Sequence, residues 1–271
     1  MKSPILQKAG TYVFSLLREK LPATYIYHNY NHTVEVVAAS EEIADGCDLT
    51  KDEKEMVLLA AWFHDAGFSS GEAHGHEDVS IHLATTFLQE HKSDPVLIQK
   101  VVSGIEATKI PQAPKNLIDQ ILCDADLFHL GTEEFTEKNK LLRDELIGFS
   151  KQDISKKQWR KMNISFLQNH KYFTDYCRRK LQPVKEKNLE ELLGHNEGKK
   201  KKKVKEADTM LATFTEQLKK DTDTRKGEKT ERTEREASTV FRIMASNQSN
   251  LSKMADDKAF TRITNFVFAS P

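Results

Sequence analysis

The chain has 271 residues, 38% of them hydrophobic and 30% charged, a balance that points to one packed domain diluted by a solvated segment. Lys plus Arg and Asp plus Glu come to 41 each, so overall charge gives no sign of nucleic-acid binding, and any such case would rest on local patches. Cys47, Cys123 and Cys177 show no C-x-x-C spacing, which argues against a disulfide framework or a zinc knuckle and fits a reducing cytoplasm.

Met1-Lys2-Ser3-Pro4 opens onto a charged amphipathic stretch, not a signal-peptide core, and no window is apolar enough to cross a bilayer. The expectation is a soluble, cytoplasmic chain. Ile5, Ala9, Val13, Leu16 and Leu17 recur at helical spacing, and Pro22 closes that helix. After the aromatic loop from Tyr25 to Asn31, a second helix opens near His32 with Val34, Val37 and Ala38 inward. Thr50 and Glu53 read as a capping box for a third helix that carries Met56, Leu59, Ala60 and Phe63 and stops near Gly67.

A polar loop, Ser69 to His76, leads to a helix with Ile81, Ala84, Phe87 and Leu88. Asp94-Pro95 restarts the chain in a cap arrangement before Val101, Val102 and Ile105. Past Pro111 and Pro114, Leu117, Ile118, Ile121, Leu122 and Leu127 form another helix. Two further stretches, roughly Thr132 to Phe149 and Lys156 to Leu193, bring Trp159, Phe166 and Phe173 to the core. No stretch alternates strictly, so the fold class is all-α, with about eight helices.

After Gly194 the composition shifts. Lys199 to Lys203 is unbroken lysine, and the chain to about Arg235 mixes both charges with few apolar residues. Ala207, Leu211, Phe214 and Leu218 keep a heptad-like spacing, as do Val240, Met244, Leu251 and Met254. The division expected is 1–194 for the domain, 195–236 for a charged linker and 237–271 for a short C-terminal segment. The stripes suit a short coiled coil, and hence a homo-oligomer through the C-terminal helix, or a helix lying on the domain.

The strongest chemical signal is His64-Asp65 at the end of the apolar run Leu58 to Phe63. A charged Asp there is expensive unless something offsets its desolvation. A divalent cation would, since imidazole and carboxylate both ligate Mn, Fe, Co, Ni or Zn, and Asp also suits Mg. Alternatively, His64 meets the last helix carbonyls and Asp65 faces water. Upstream, His28 and His32 lie one turn apart. Downstream, Asp124 and Asp126 sit inside an apolar helical run, and two acids two apart cannot face the same way.

His32-Thr33-x-x-Val36, His64-Asp65-Ala66-Gly67 and the run Asp124 to Gly131 together resemble the HD phosphohydrolase superfamily, over about residues 20 to 195. The resemblance implies a compact helical domain and one divalent metal held by His32, His64, Asp65 and Asp126. Asp126 matches the final carboxylate because Leu127 follows it, which leaves Asp124 to orient a histidine ligand. No histidine occurs between Ser103 and Lys109, so one metal is expected, although some relatives bind two. The stretch Trp159 to Thr174 looks like the C-terminal part of such proteins. The segment from Arg242 to Ala259 resembles the start of a Pycsar-type membrane-effector module. In that module an apolar membrane segment would follow; here Phe260 to Pro271 is short and broken by Thr261, Arg262, Thr264 and Asn265, so this is either a truncated relative or a chance helix.

The chemistry implied is hydrolysis of a phosphate ester or anhydride, of a nucleotide or similar small phosphate. Asp65 would also orient the attacking water, and His76 and Glu77 would contact substrate or polarise water, their alternative being an ordinary helix start. His28, Lys109 and Arg143 are candidates for substrate binding, each with a plain surface reading beside it. Tyr27 and Tyr30 either stack on a base or pack. A second functional reading is a nucleotide sensor that uses the pocket without turnover and signals through the tail.

Overall fold

The computed structural model describes residues 3–150 and 154–194, and every helix or turn among them is α or 3-10, with no strand. The expected linker, the lysine run, the C-terminal segment with its effector resemblance, and the helix expected to support a homo-oligomer all fall outside the described residues. Among the described residues no helix is long and apolar enough to cross a membrane.

Local chemistry sets the helix starts. Helix α1 (Pro4–Lys20) begins on a proline, and α2 (Tyr30–Gly46) on Asn29, whose side chain accepts from the Asn31 and His32 N–H groups. The Thr50–Glu53 capping box opens α3 (Lys51–Phe63) as expected. Asp94 and Pro95 open α5 (Pro95–Ala107), and Asn116 caps α6 (Leu117–Asp126). The third helix ends earlier than its apolar pattern suggested: after Phe63 the chain turns through His64 and Asp65 into a 3-10 turn, Ala66–Ser70.

Helices α1 to α6, with α4 spanning His76–Glu90, enclose the main core. Leu59, Leu88, Ile105, Ile121 and Leu122 are completely buried there. Truncating any one of them to alanine would cost about 2–5 kcal/mol. Two close approaches shape the site end. A Cβ on Gly67 would lie 1.9 Å from the His76 carbonyl oxygen, so only glycine lets the 3-10 turn press against the start of α4. The Gly67 N–H donates to Ser80 Oγ at 2.8 Å and ties the same junction. On the last turn of α3, Gly10 of α1 leaves room for the Trp62 indole, which stacks on Tyr30 at 6.2 Å.

Beyond a second 3-10 turn, Phe128–Gly131, come α7 (Phe135–Ser150), α8 (Lys156–Asn169), α9 (Asp175–Lys180) and α10 (Gln182–Gly194). They build two smaller apolar clusters, one around Leu130, Phe135, Phe166 and Leu167, the other around Leu146, Ile154 and Trp159. The expected single helix from Lys156 to Leu193 is therefore three. Asp124 makes the first break: its buried carboxylate accepts from Phe173 N (2.8 Å), Thr174 N (2.8 Å) and Thr174 Oγ1 (2.7 Å). Thr174 in turn caps α9 through Cys177 N. Pro183, with no N–H to give, makes the second break near Leu181.

Candidate metal centre

The Asn29 cap sets His32 in the first turn of α2 with its ring buried. His64 follows the last residue of α3, fully buried, and its Nδ1–H donates to the Ala61 carbonyl at 2.8 Å. In the neutral ring that bond fixes the tautomer and puts the lone pair on Nε2. Asp65 leaves helical geometry at φ −111°, ψ 7°, which turns its carboxylate toward the two rings. Asp126 arrives as the last residue of α6.

One ligand atom from each of these four residues lies within 4.8 Å of all the others. His64 Nε2 is 3.2 Å from Asp65 Oδ2 and 3.7 Å from Asp126 Oδ1. His32 Nε2 is 3.5 Å from Asp65 Oδ2 and 3.3 Å from Asp126 Oδ1. Four ligand atoms about 2.1 Å from a tetrahedral centre stand roughly 3.4 Å apart, and the four distances bracket that figure.

His32 Nε2, His64 Nε2 and Asp65 Oδ2 are buried without a hydrogen-bond partner in the protein. Leaving a buried polar atom unsatisfied costs about 1–3 kcal/mol, and here three such atoms converge. The donor set, two imidazole nitrogens and two carboxylate oxygens, therefore fits a divalent ion.

In the metal-free protein the charges lean on one another. Burial opposes a proton on His64, but Asp65 and Asp126 override it and push its pKa up to about 9. Burial likewise opposes ionisation of Asp65, yet His64 and His76 hold its carboxyl well below the usual range. Asp126 is lowered too, against burial, by its contact with His32.

Around this cluster the structure gathers some of the expected residues. His76 Nε2 lies 3.3 Å from Asp65 Oδ1, while its Nδ1–H donates to Ala73 O at 2.8 Å. Glu77 is buried, with Oε2 3.5 Å from His76 Nδ1. Phe68 stacks on His76 at 3.9 Å and on His28 at 4.7 Å, so one aromatic ring spaces the two histidines. Tyr27 and Tyr30 pack: Tyr27 against His32 at 4.9 Å, Tyr30 against Phe14 at 4.9 Å.

Three more of the expected residues have partners of their own. Asp124 orients no histidine ligand, because both its oxygens are engaged by Phe173 and Thr174. Arg143 donates through Nε to the Ile154 carbonyl at 2.9 Å, beside the third apolar cluster, instead of facing substrate. Lys109 pairs with Asp78 at the surface.

Sequence reading passed over Phe68, His129 and Glu145. Burial and the His32 charge push His129 down to about 3, and its Nδ1 lies 3.2 Å from the Tyr27 hydroxyl. Glu145 bonds His28 and is nearly fully buried; its only sequence signal is an acid three residues after Leu142 and directly before Leu146, on the apolar face of α7.

Residues 29–131 match the family model of the HD domain. No curated protein and no solved structure matches the chain. HD domains bind divalent metals and are in general metal-dependent hydrolases, and the matched span holds all four convergent side chains. Over residues 29–131, which carry all four side chains, the chain is therefore similar to the HD domain.

Proposed function

We propose that this protein hydrolyses a phosphate ester or anhydride, in a nucleotide or a related small phosphate, with one divalent metal ion. The observation that carries the reading is the convergence of three orphaned buried atoms, with Asp126 Oδ1, at spacings that suit one ion. His32, His64, Asp65 and Asp126 would hold it, and the metals that suit the set are Mn, Fe, Co, Ni, Zn and Mg. When bound, the ion supplies a water of lowered pKa and neutralises charge on a phosphoryl oxygen.

The chain's own groups do the rest. Asp65 presents Oδ2 to the cluster and keeps Oδ1 toward His76, so it can orient an attacking water and remain tied to α4. His76, held by Ala73 O and by the Phe68 face, stands where a substrate oxygen could meet its ring, with Glu77 behind it. His28 faces the same region from the loop before α2. Lys109 is half-exposed and its pair with Asp78 is a surface one, worth little, so it remains free to exchange Asp78 for a phosphate.

The test is metal analysis of the purified protein, then phosphate release from nucleotides and simple phosphate esters with Mn, Co, Ni and Mg. The expected result is near-stoichiometric metal and metal-dependent release, both abolished by chelation. A fully metal-loaded protein that releases no phosphate yet is stabilised by a nucleotide would overturn hydrolysis in favour of the sensor reading.

A further inference from the structure

Glu145 lies on α7, beyond the span that matches the family, and is 2% exposed. Its Oε2 accepts the backbone N–H of Tyr27 at 2.7 Å and of His28 at 3.0 Å. Its Oε1 takes the Nδ1–H of His28. One carboxylate thus holds both the main chain and the ring of a residue 117 positions away.

The ring is held from other sides as well. Phe68 stacks on it with planes 25° apart, and the His32 ring meets it edge-on with centroids 5.7 Å apart. With Nδ1 bonded to Glu145, Nε2 is the ring nitrogen left to contact a ligand. The His28 side chain is 20% exposed, enough for a ligand to reach it. A carboxylate that only stapled the loop would need just its two backbone bonds; the third bond goes to a side chain of that loop that borders the cluster.

We propose that Glu145 is a positioning residue for the hydrolysis put forward above, on which this inference rests. It locks His28 in one tautomer and one orientation, so that Nε2 keeps its lone pair and accepts a hydrogen bond from the attacking water at the His32–His64–Asp65–Asp126 cluster.

Glu145→Gln separates the two roles. Glutamine has a single carbonyl oxygen, which can stay on the two backbone N–H groups and keep the loop anchored. Its amide N–H then faces His28 Nδ1, which reverses the tautomer of the ring.

The experiment compares full-length, manganese-loaded wild type, Glu145→Gln, Glu145→Asp, His28→Asn and the Glu145→Gln/His28→Asn double variant. The probes are p-nitrophenyl phosphate and ATP. In Glu145→Gln, kcat should fall about tenfold or more with bound manganese and KM little changed. Glu145→Asp should recover part of the loss, and the double variant should be no worse than His28→Asn alone. Wild-type kcat in Glu145→Gln, loss of its manganese, or losses that multiply in the double variant would each overturn the assignment. If Glu145→Gln does not fold, His28→Asn decides: wild-type kcat overturns the proposal, and lost kcat with manganese retained supports it. Wild type inactive on both probes would instead strike the hydrolytic reading, a failure visible before any variant is compared.

Discussion

Asp65 faces two ways, Oδ2 toward His32 and His64, Oδ1 toward His76. Asp65→Ala removes one ligand and the tie to α4 together. Metal added at about 100 times its dissociation constant stabilises a protein by roughly 2.7 kcal/mol. For a domain of this size that amounts to a rise of about 5–10 °C in Tm. Chelator-stripped wild type should show such a rise on adding manganese, and Asp65→Ala should show neither the rise nor turnover; a full rise in the variant would mean the ion binds elsewhere. Lys185 offers a separate reading by pH. Its ammonium is buried, donates to His170 O at 2.6 Å and sits over the Tyr172 ring, and burial lowers its pKa to about 8. Between about pH 8 and the ordinary lysine value near 10.5 the folded state therefore holds fewer protons than the unfolded chain, so stability rises with pH across that window. Urea unfolding at pH 8 and pH 10 should show this increment in wild type and its loss in Lys185→Met. At this scale the four convergent residues were legible through their resemblance, in type and order, to the HD phosphohydrolase pattern. The direction of Asp124 was not, because its partners lie about 50 residues on, and nothing local marks Glu145 as the partner of His28.

Among the elements, the junction of the 3-10 turn with α4 has the least tolerance. Gly67→Ala would set a methyl against the backbone of His76 and Ser80, neither of which can give as a side-chain tip does. The expected cost is about 2–3 kcal/mol by chemical denaturation. Turnover in the folded fraction should also drop, since the shift moves His76 off Asp65. Unchanged stability would show that the turn and α4 are free to separate. Capping residues made two helix starts legible: Thr50 with Glu53, and Asp94 with Pro95, act through neighbours in sequence. The end of α3 and the break after Asn169 were not legible. The first is a turn that carries ligand side chains inward, and the second depends on a carboxylate from α6 that no local pattern reveals.

At the scale of the molecule, the span that matches the family does not close on itself. Asp124 is bonded to the segment before α9, and the His28 loop is bonded to α7, so helices beyond residue 131 complete what residues 29–131 begin. A chain cut after Gly194 should keep the melting temperature and phosphate release of the whole protein, while one cut after Gly131 should give no cooperative melt. If the longer truncation unfolds, the boundary drawn from the change in composition is misplaced. Trp62 carries a last consequence. It is one of only two tryptophans, it stands two residues before His64, and it lies between Gly10 and Tyr30 on the last turn of α3. The protein therefore contains its own optical gauge: in a Trp159→Phe background, emission from this single indole should dim as paramagnetic manganese, cobalt or nickel is titrated in, and reports occupancy without any attached dye.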